Sequence, residues 1–173
     1  MNTHHFAPAS SDEQIVYGAC RPGYASSRVG TEDVDRWIAF MEGQGIGRVV
    51  CLLEGEQIRY YDGLLKCYRD CFGADNVLHA PVADYTLPSA DLLVGKVLPF
   101  LKQSITDGRK TVVHCSAGVG RTGFVLLAFL VVLRGLQPAD AIRHLRAAGR
   151  DPGESGDPQG QSLLETCLER WSR

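Results

Sequence analysis

The chain has 173 residues, 45% of them hydrophobic, and a formal net charge of −2 at pH 7. A chain of this length buries about 70% of its unfolded surface on folding, so one core suffices and no disulfide or metal staple is required. The mild acidic balance argues against nucleic acid as the main partner, while 14 Arg and 4 Lys leave room for a local basic site.

Residues 1–13 carry His4, His5 and a polar Pro/Ser stretch without the basic and apolar regions of a secretory leader, and are expected to be flexible. A first strand is expected at 14–17. Behind the acidic Glu32 and Asp33, residues Val34, Trp37, Ile38 and Met41 recur at helical spacing, and the Gly-rich stretch 43–47 ends that helix. A second strand follows at 48–53, then a helix carrying Leu64, Leu65, Tyr68 and Phe72, and a third strand at 77–81. Leu92, Leu93, Val97 and Phe100 mark another helix, which Pro99 should kink or fray. After a strand at 111–114 come helical stretches near 121–134, 138–148 and 160–171, with the Gly/Pro/Asp-rich linker 149–160 reading as a surface loop. The pattern predicts one α/β domain over 1–173, with a central, mostly parallel sheet of about four to five strands flanked by helices. The longest apolar run, 124–133, is about half the roughly 20 residues a membrane span needs, so a buried helix and a soluble, cytoplasmic protein are expected. Six scattered cysteines fit reduced thiols better than a disulfide framework.

The chemistry concentrates in Thr-Val-Val-His-Cys-Ser-Ala-Gly-Val-Gly-Arg-Thr-Gly, residues 111–123, between a strand and an all-apolar helix. Gly118, Gly120 and Gly123 formally match a dinucleotide fingerprint, but no second strand ending in an acidic residue follows about 20 positions on. A nucleoside-triphosphate loop would need Lys and Ser/Thr where Phe124 and Val125 stand. The remaining reading is the Cys-x5-Arg spacing of Cys115 and Arg121. Spacing alone is weak, since Cys167 and Arg173 share it on a terminal helix without glycines. Context separates the two: His114 before the cysteine, Gly118 and Gly120 inside the loop, Thr122-Gly123 after the arginine.

Those residue types suit phosphoryl transfer. A thiolate is the nucleophilic form of cysteine, and free Cys, with a pKa near 8.5, needs help to ionise. Backbone N–H groups of Ser116, Ala117, Gly118, Val119, Gly120 and Arg121, curled above the sulfur at a helix N-terminus, would hold an anion there. Glycines allow the tight curl, and the Arg121 fork can grip two phosphoryl oxygens.

The run His-Cys-Ser-Ala-Gly-Val-Gly-Arg-Thr-Gly resembles the signature of the protein tyrosine phosphatase superfamily. The chain as a whole is similar to compact dual-specificity-type phosphatases, including small prokaryotic ones, with Arg21-Pro22-Gly23 also typical. No counterpart is seen to the phosphotyrosine-gripping loop of the longer tyrosine-specific domains. The resemblance implies a metal-independent, cofactor-free hydrolase of phosphoric monoesters working through a phosphocysteine intermediate. Cys115 would be the nucleophile and Arg121 the phosphate clamp. Asp84, in Val-Ala-Asp-Tyr-Thr-Leu-Pro, resembles the residue of the mobile general-acid loop, with Asp62, Asp75 and Asp91 as weaker rivals and a plain turn aspartate as the alternative. Thr122 would hydrogen-bond the departing sulfur, His114 would stiffen the loop, and Gln161, with Gln159 competing, would attend the attacking water. Cys51 is a candidate crosslink partner of Cys115 on oxidation. Cys67 and Cys71, one helical turn apart without a second ligand pair, do not make a metal site.

The expected substrate is a phosphorylated protein or peptide carrying phosphotyrosine, extending to phosphoserine and phosphothreonine. Phosphoinositides or RNA 5′-phosphates are the alternative substrates, disfavoured because Ser116, Ala117 and Val119 leave Arg121 as the loop's sole charge. A catalytically silent phosphate-binding module is the alternative of a different class, and needs neither a thiolate nor an acid. No nucleic-acid or membrane partner is expected, and the sequence leaves the oligomeric state open.

Overall fold

The computed structural model describes residues 3–155 and 158–173. Five strands form one sheet: β1 (Ala7–Pro8), β2 (Val16–Cys20), β3 (Arg48–Cys51), β4 (Val77–His79) and β5 (Thr111–Cys115), in spatial order β1-β2-β5-β3-β4. Only β1 runs antiparallel, at the edge. β5 lies between β2 and β3 with all five residues buried, which explains its continuous apolar composition up to His114.

Side chains alternate between two cores. Val16, Val50, Val113 and Cys115 face one cluster, whereas Ala19, Val49, Cys51 and Val112 face the other. The second core is closed by α1 (Thr31–Gly43), the short α2 (Gly55–Ile58) and α3 (Leu64–Phe72), which bury Trp37, Met41 and Tyr68 completely. On the opposite face, α4 (Ala90–Leu92), a π-helical turn (Leu93–Val97) and α5 (Leu98–Asp107) form one helical run. Ser89 caps it by accepting a hydrogen bond from the Leu92 N–H at 3.1 Å. The expected break at Pro99 takes this form: proline occupies the first turn of α5, where its missing N–H is tolerated, behind the widened π turn. At the centre of that face lies α6 (Gly120–Val132), buried from Gly120 to Val131, flanked by α7 (Pro138–Ala147) and α8 (Gln159–Trp171). Among the described residues, no helix is long and apolar enough to cross a membrane.

Three expectations need correction. The first strand begins and ends later than 14–17. The Glu13 carboxylate accepts the Ile15 and Val16 N–H groups in a turn, and pairing with β5 then carries the strand through to Cys20. The amino-terminal segment expected to be flexible is docked from residue 3 on; residues 1 and 2 lie outside the described residues. β1 pairs with Tyr17 and Gly18, Phe6 stacks on Tyr17 at 4.9 Å, Ala9 is fully buried, and Glu13 bonds Arg134 through both carboxylate oxygens. Finally, the linker 149–160 is not all surface. Arg150 and Pro152 are buried and a 3₁₀ turn spans Pro152–Ser155, while residues 156 and 157 lie outside the described residues.

Candidate active site

Cys115 ends β5 at the carboxyl edge of the parallel strands, where such sheets place their clefts. Residues 116–119 then turn the chain sharply into α6. Gly118 makes that turn with φ +76°, and a Cβ there would stand 2.5 Å from the Ala19 carbonyl oxygen, so no side chain fits. Above Cys115 opens a cavity of about 120 Å³, walled by Ser116, Ala117, Gly120 and Arg121 from the loop and by Tyr24, Asp84 and Tyr85 from other segments.

The structure brings Arg121 and Asp84 together. Arg121 is almost fully buried; its Nη2 lies 2.9 Å from Asp84 Oδ1, and its Nη1 donates to the Val82 carbonyl and to Gln57 Oε1, each at 2.9 Å. Gln57 Nε2 in turn donates to Asp84 Oδ2 at 3.2 Å, so one buried amide orients both charged groups. Among the described residues, Arg121 Nε–H and the second Nη2 hydrogen carry no protein partner, leaving two donors for an anion. Asp84 stands in a turn closed by Thr86, with its own N–H donating to Glu54 Oε1 at 3.3 Å. Tyr85 follows it with φ +56°, a left-handed conformation rare for a bulky residue, and the residue is 78% exposed. Among the described residues, Tyr85 and Tyr24 are the two large hydrophobic side chains left exposed, and both border the cavity.

Behind the loop, Arg21 braces its first residue. Its N–H donates to the Ser116 carbonyl at 3.0 Å and its Nε to Ser116 Oγ at 3.1 Å. The rest of its guanidinium reaches Tyr61 Oη at 3.0 Å and the Ser26 carbonyl at 2.7 Å. His114 points into the opposite core, between Trp37 and Tyr68. Complete burial pushes its pKa down to about 4, so the ring is neutral at physiological pH. One neutral tautomer satisfies both contacts, Nδ1–H donating to the Cys115 carbonyl at 3.3 Å and Nε2 accepting from the Tyr68 hydroxyl at 3.2 Å. The Thr122 hydroxyl is buried without a hydrogen-bond partner among the described residues, an unmet donor at the start of α6.

Gln161 is not brought to the site. It lies on the first turn of α8, bonds Glu165 Oε1 at 3.1 Å, and lines a separate apolar groove with Phe124, Leu127 and Leu164. Gln159 is exposed and does not border the cavity either. Cys51 is on the wrong face of the sheet: it pairs with His114 and packs in the Trp37 core, whereas Cys115 faces the α6 core. The residue in register with Cys115 on the same face is Cys20. Burial pushes the Cys20 and Cys51 thiols up to about 11 and about 12, so both stay protonated at neutral pH. Among the described residues, no group of three or more His, Cys, Asp or Glu side chains could hold a metal.

Gln57 carries no motif signal, since a glutamine on a one-turn helix is unremarkable in sequence. Arg150, buried beneath the loop, looks like an ordinary linker charge. Tyr85 was within reach, being an aromatic residue beside the candidate acid.

The strand order, with a loop from Cys115 to Arg121 between the central parallel strand and a buried helix, is the architecture of the protein tyrosine phosphatase superfamily. The family described as "Polymorphic toxin system, DSP-PTPase phosphatase" matches residues 23–135, and the chain belongs to it. An uncharacterized protein of Methanocaldococcus jannaschii is 36% identical over 93 residues, 54% of this chain and 60% of that protein. The phosphatidylglycerophosphate phosphatase PTPMT2 of Arabidopsis thaliana is 27% identical over 103 residues, 60% of this chain and 43% of that protein. The chain thus spans less than two thirds of these relatives. Among solved structures, Tk-PTP in its active form superposes with a TM-score of 0.68 at 25% identity, covering 94% of this chain and 98% of that one.

Proposed function

We propose that the protein is a cysteine-dependent phosphatase that hydrolyses phosphotyrosine, and also phosphoserine and phosphothreonine, in proteins. The observation that carries this reading is the convergence of Cys115, Arg121 and Asp84 on one small cavity, with Asp84 and Arg121 2.9 Å apart. The Cys115 thiolate attacks phosphorus, the phosphoryl oxygens rest on the loop N–H groups and on the two free Arg121 donors, and the P–O bond to the leaving group breaks. Asp84, in its acid form, gives the departing oxygen its proton. In the second step water attacks the phosphocysteine, Asp84 takes the proton from that water, and the sulfur leaves with the unmet Thr122 hydroxyl as its hydrogen-bond donor. Gln57 keeps Asp84 and Arg121 in register, and neutral His114 holds the strand end from behind. No metal or cofactor enters any step.

The rim supports this substrate class. Tyr24 and Tyr85 are exposed aromatic residues that border the cavity, and their ring surface suits contact with a flat phenyl ring. The phosphatidylglycerophosphate phosphatase relative supports a second reading, a lipid phosphomonoesterase using the same machinery. Within that reading the loop disfavours phosphoinositides, because Arg121 is its one charge and a polyphosphorylated headgroup would want more. The cytoplasm, where thiols stay reduced, is the compartment proposed.

The test is phosphate release from matched phosphotyrosine and phosphothreonine peptides and a soluble phosphoinositide, with chelator present and Cys115→Ser as the blank. Turnover of the peptides upholds the protein-phosphatase reading, and their ratio separates tyrosine from dual specificity. Cleavage of the phosphoinositide alone moves the substrate class to lipids. Peptide binding without any cleavage makes the chain a phosphate reader and refutes the enzyme reading.

A further inference from the structure

A loop that turns its N–H groups inward to hold an anion must turn its carbonyls outward, and each buried carbonyl then needs a donor. The structure supplies three in succession. The Ser116 carbonyl accepts from the Arg21 N–H at 3.0 Å, the Ala117 carbonyl lies 3.2 Å from His5 Nδ1, and the Gly118 carbonyl accepts from Arg150 Nη1. The third donor is unlike the others. Arg150 stands 35 positions beyond Cys115, is 2% exposed and, among the described residues, makes no hydrogen bond to a carboxylate. Its Nη2 donates to the carbonyls of Gly18 at 2.7 Å and His5 at 3.0 Å, with the Ala7 carbonyl at 3.4 Å, while Nε is buried without a partner among the described residues. Gly18 is the reason it fits: a Cβ on that β2 residue would lie 2.6 Å from the guanidinium carbon.

Burying a cation is costly, and among the described residues no carboxylate pairs with Arg150 to offset that cost. Burial pushes Arg150 down to about 10, which still leaves it charged at neutral pH, and a negative charge at Cys115 acts in the opposite direction to favour that charge. Among the described residues, the negative charge that would favour the Arg150 cation most is that of the Cys115 thiolate, across the loop.

We infer that Arg150 is a positioning residue for the Cys115 loop, holding the Gly118 carbonyl outward so that the anion cradle stays formed and supplying the buried positive charge that balances the Cys115 thiolate. Through the His5 and Ala7 carbonyls, the same guanidinium ties the amino-terminal segment to the back of the site. The inference rests on the reading of Cys115 as a thiolate nucleophile. Among the described residues, the other charged or titratable groups around that sulfur are Arg121 on α6, Arg21 and Cys20 on the β2 side, Asp84, Tyr24 and Tyr85 on the cavity wall, and His114 and Cys51 on neighbouring strand positions. Of these, Asp84 is bonded to Arg121, while Cys20, Cys51 and His114 are neutral at pH 7. Arg21 is spent on Ser116, Tyr61 and Ser26.

The test measures the rate of iodoacetamide alkylation of Cys115 against pH, followed on the Cys115 peptide by mass spectrometry, in the full chain and in Arg150→Gln and Arg150→Lys. Arg150→Gln keeps a donor for Gly118 and loses the charge. Its alkylation midpoint should rise by about one pH unit, a roughly tenfold slower reaction at pH values below both midpoints. Arg150→Lys keeps the charge and loses the fork, so its midpoint should stay near that of the parent while turnover of an aryl phosphate falls about tenfold or more. An unmoved midpoint in a folded Arg150→Gln overturns the charge-balancing role. Should that variant not fold, Arg150→Lys decides: parent-like turnover overturns the positioning role, and a midpoint that rises despite the retained cation overturns the charge-balancing role. A parent midpoint near that of an ordinary thiol would instead refute the nucleophile reading, an outcome distinct from either failure.

Discussion

Gly118→Ala isolates what the loop after Cys115 requires of its backbone. Two separate costs arise at this position. With φ +76°, any L side chain is strained by about 1–2 kcal/mol. The new Cβ would also meet backbone on β2, at 2.5 Å from the Ala19 oxygen, 2.6 Å from its carbon and 2.8 Å from the Cys20 nitrogen, none of which can rotate away. Relieving such overlap in a packed interior costs a further 1–3 kcal/mol or so. Gly135→Ala supplies the comparison, because Gly135 has φ +70° but nothing within 4 Å of its Cβ direction, so it bears the strain alone. At about 2–4 °C per kcal/mol for a chain of this size, Gly135→Ala should lower the melting temperature by about 2–8 °C and Gly118→Ala by about 4–20 °C. Thermal unfolding followed by circular dichroism reads both. Function should separate them further: a loop pushed by about 1 Å loses on the order of 10²-fold in turnover, whereas Gly135→Ala should hydrolyse an aryl phosphate like the parent. Equal melting shifts in the two variants, or parent-like turnover in Gly118→Ala, would refute the argument that close approach to β2 fixes the loop.

Asp84→Asn should cost about 10²- to 10⁴-fold on alkyl phosphates and far less on activated aryl phosphates, whose leaving groups need no proton. An equal loss on both removes Asp84 as the acid. Gln57→Leu deletes the amide that bridges Arg121 and Asp84, two hydrogen bonds to charged groups worth about 1.5–3 kcal/mol each in a buried setting. Steady-state kinetics on a phosphotyrosine peptide should show kcat/KM down by about ten- to a hundredfold; a change within twofold means that Val82 and Asp84 hold Arg121 unaided. Stability should fall on acidification because the His114 pKa is lowered to about 4 in the fold from 6.5 in the unfolded chain. The unfolded state then binds the proton first, so stability drops as pH falls from about 6.5 to about 4 and the loss is complete below the folded value. The full effect is about 3 kcal/mol. Chemical denaturation at pH 7 and pH 4 should show that drop in the parent and a smaller one in His114→Gln, in which carboxylate titration is common to both. Equal drops would mean that His114 is not the group responsible.

Local spacing determined the centre of the site. Cys115, the glycines and Arg121 are within seven consecutive residues, and an apolar run after them can only be a buried helix, so the strand–loop–helix unit was legible without any long-range contact. The helical period of Val34, Trp37, Ile38 and Met41 likewise named its buried face. Asp84 was legible from its place after a strand, as one of several aspartates. Tertiary structure alone decided which polar groups surround that centre. Gln57, Arg21 and Arg150 come from chain positions far from residue 115 because parallel strands need long crossovers, and the carboxyl edge of the sheet gathers segments that are remote in sequence. A buried polar side chain is then defined by the carbonyl or carboxylate it meets, and its identity in the chain carries no trace of that partner. The same physics misplaced Gln161 and Cys51. Spacing along α8 could not reveal how the linker sets the start of that helix, and a strand assignment does not say which face a residue takes until register with β5 puts Cys51 beside His114 and Cys20 beside Cys115.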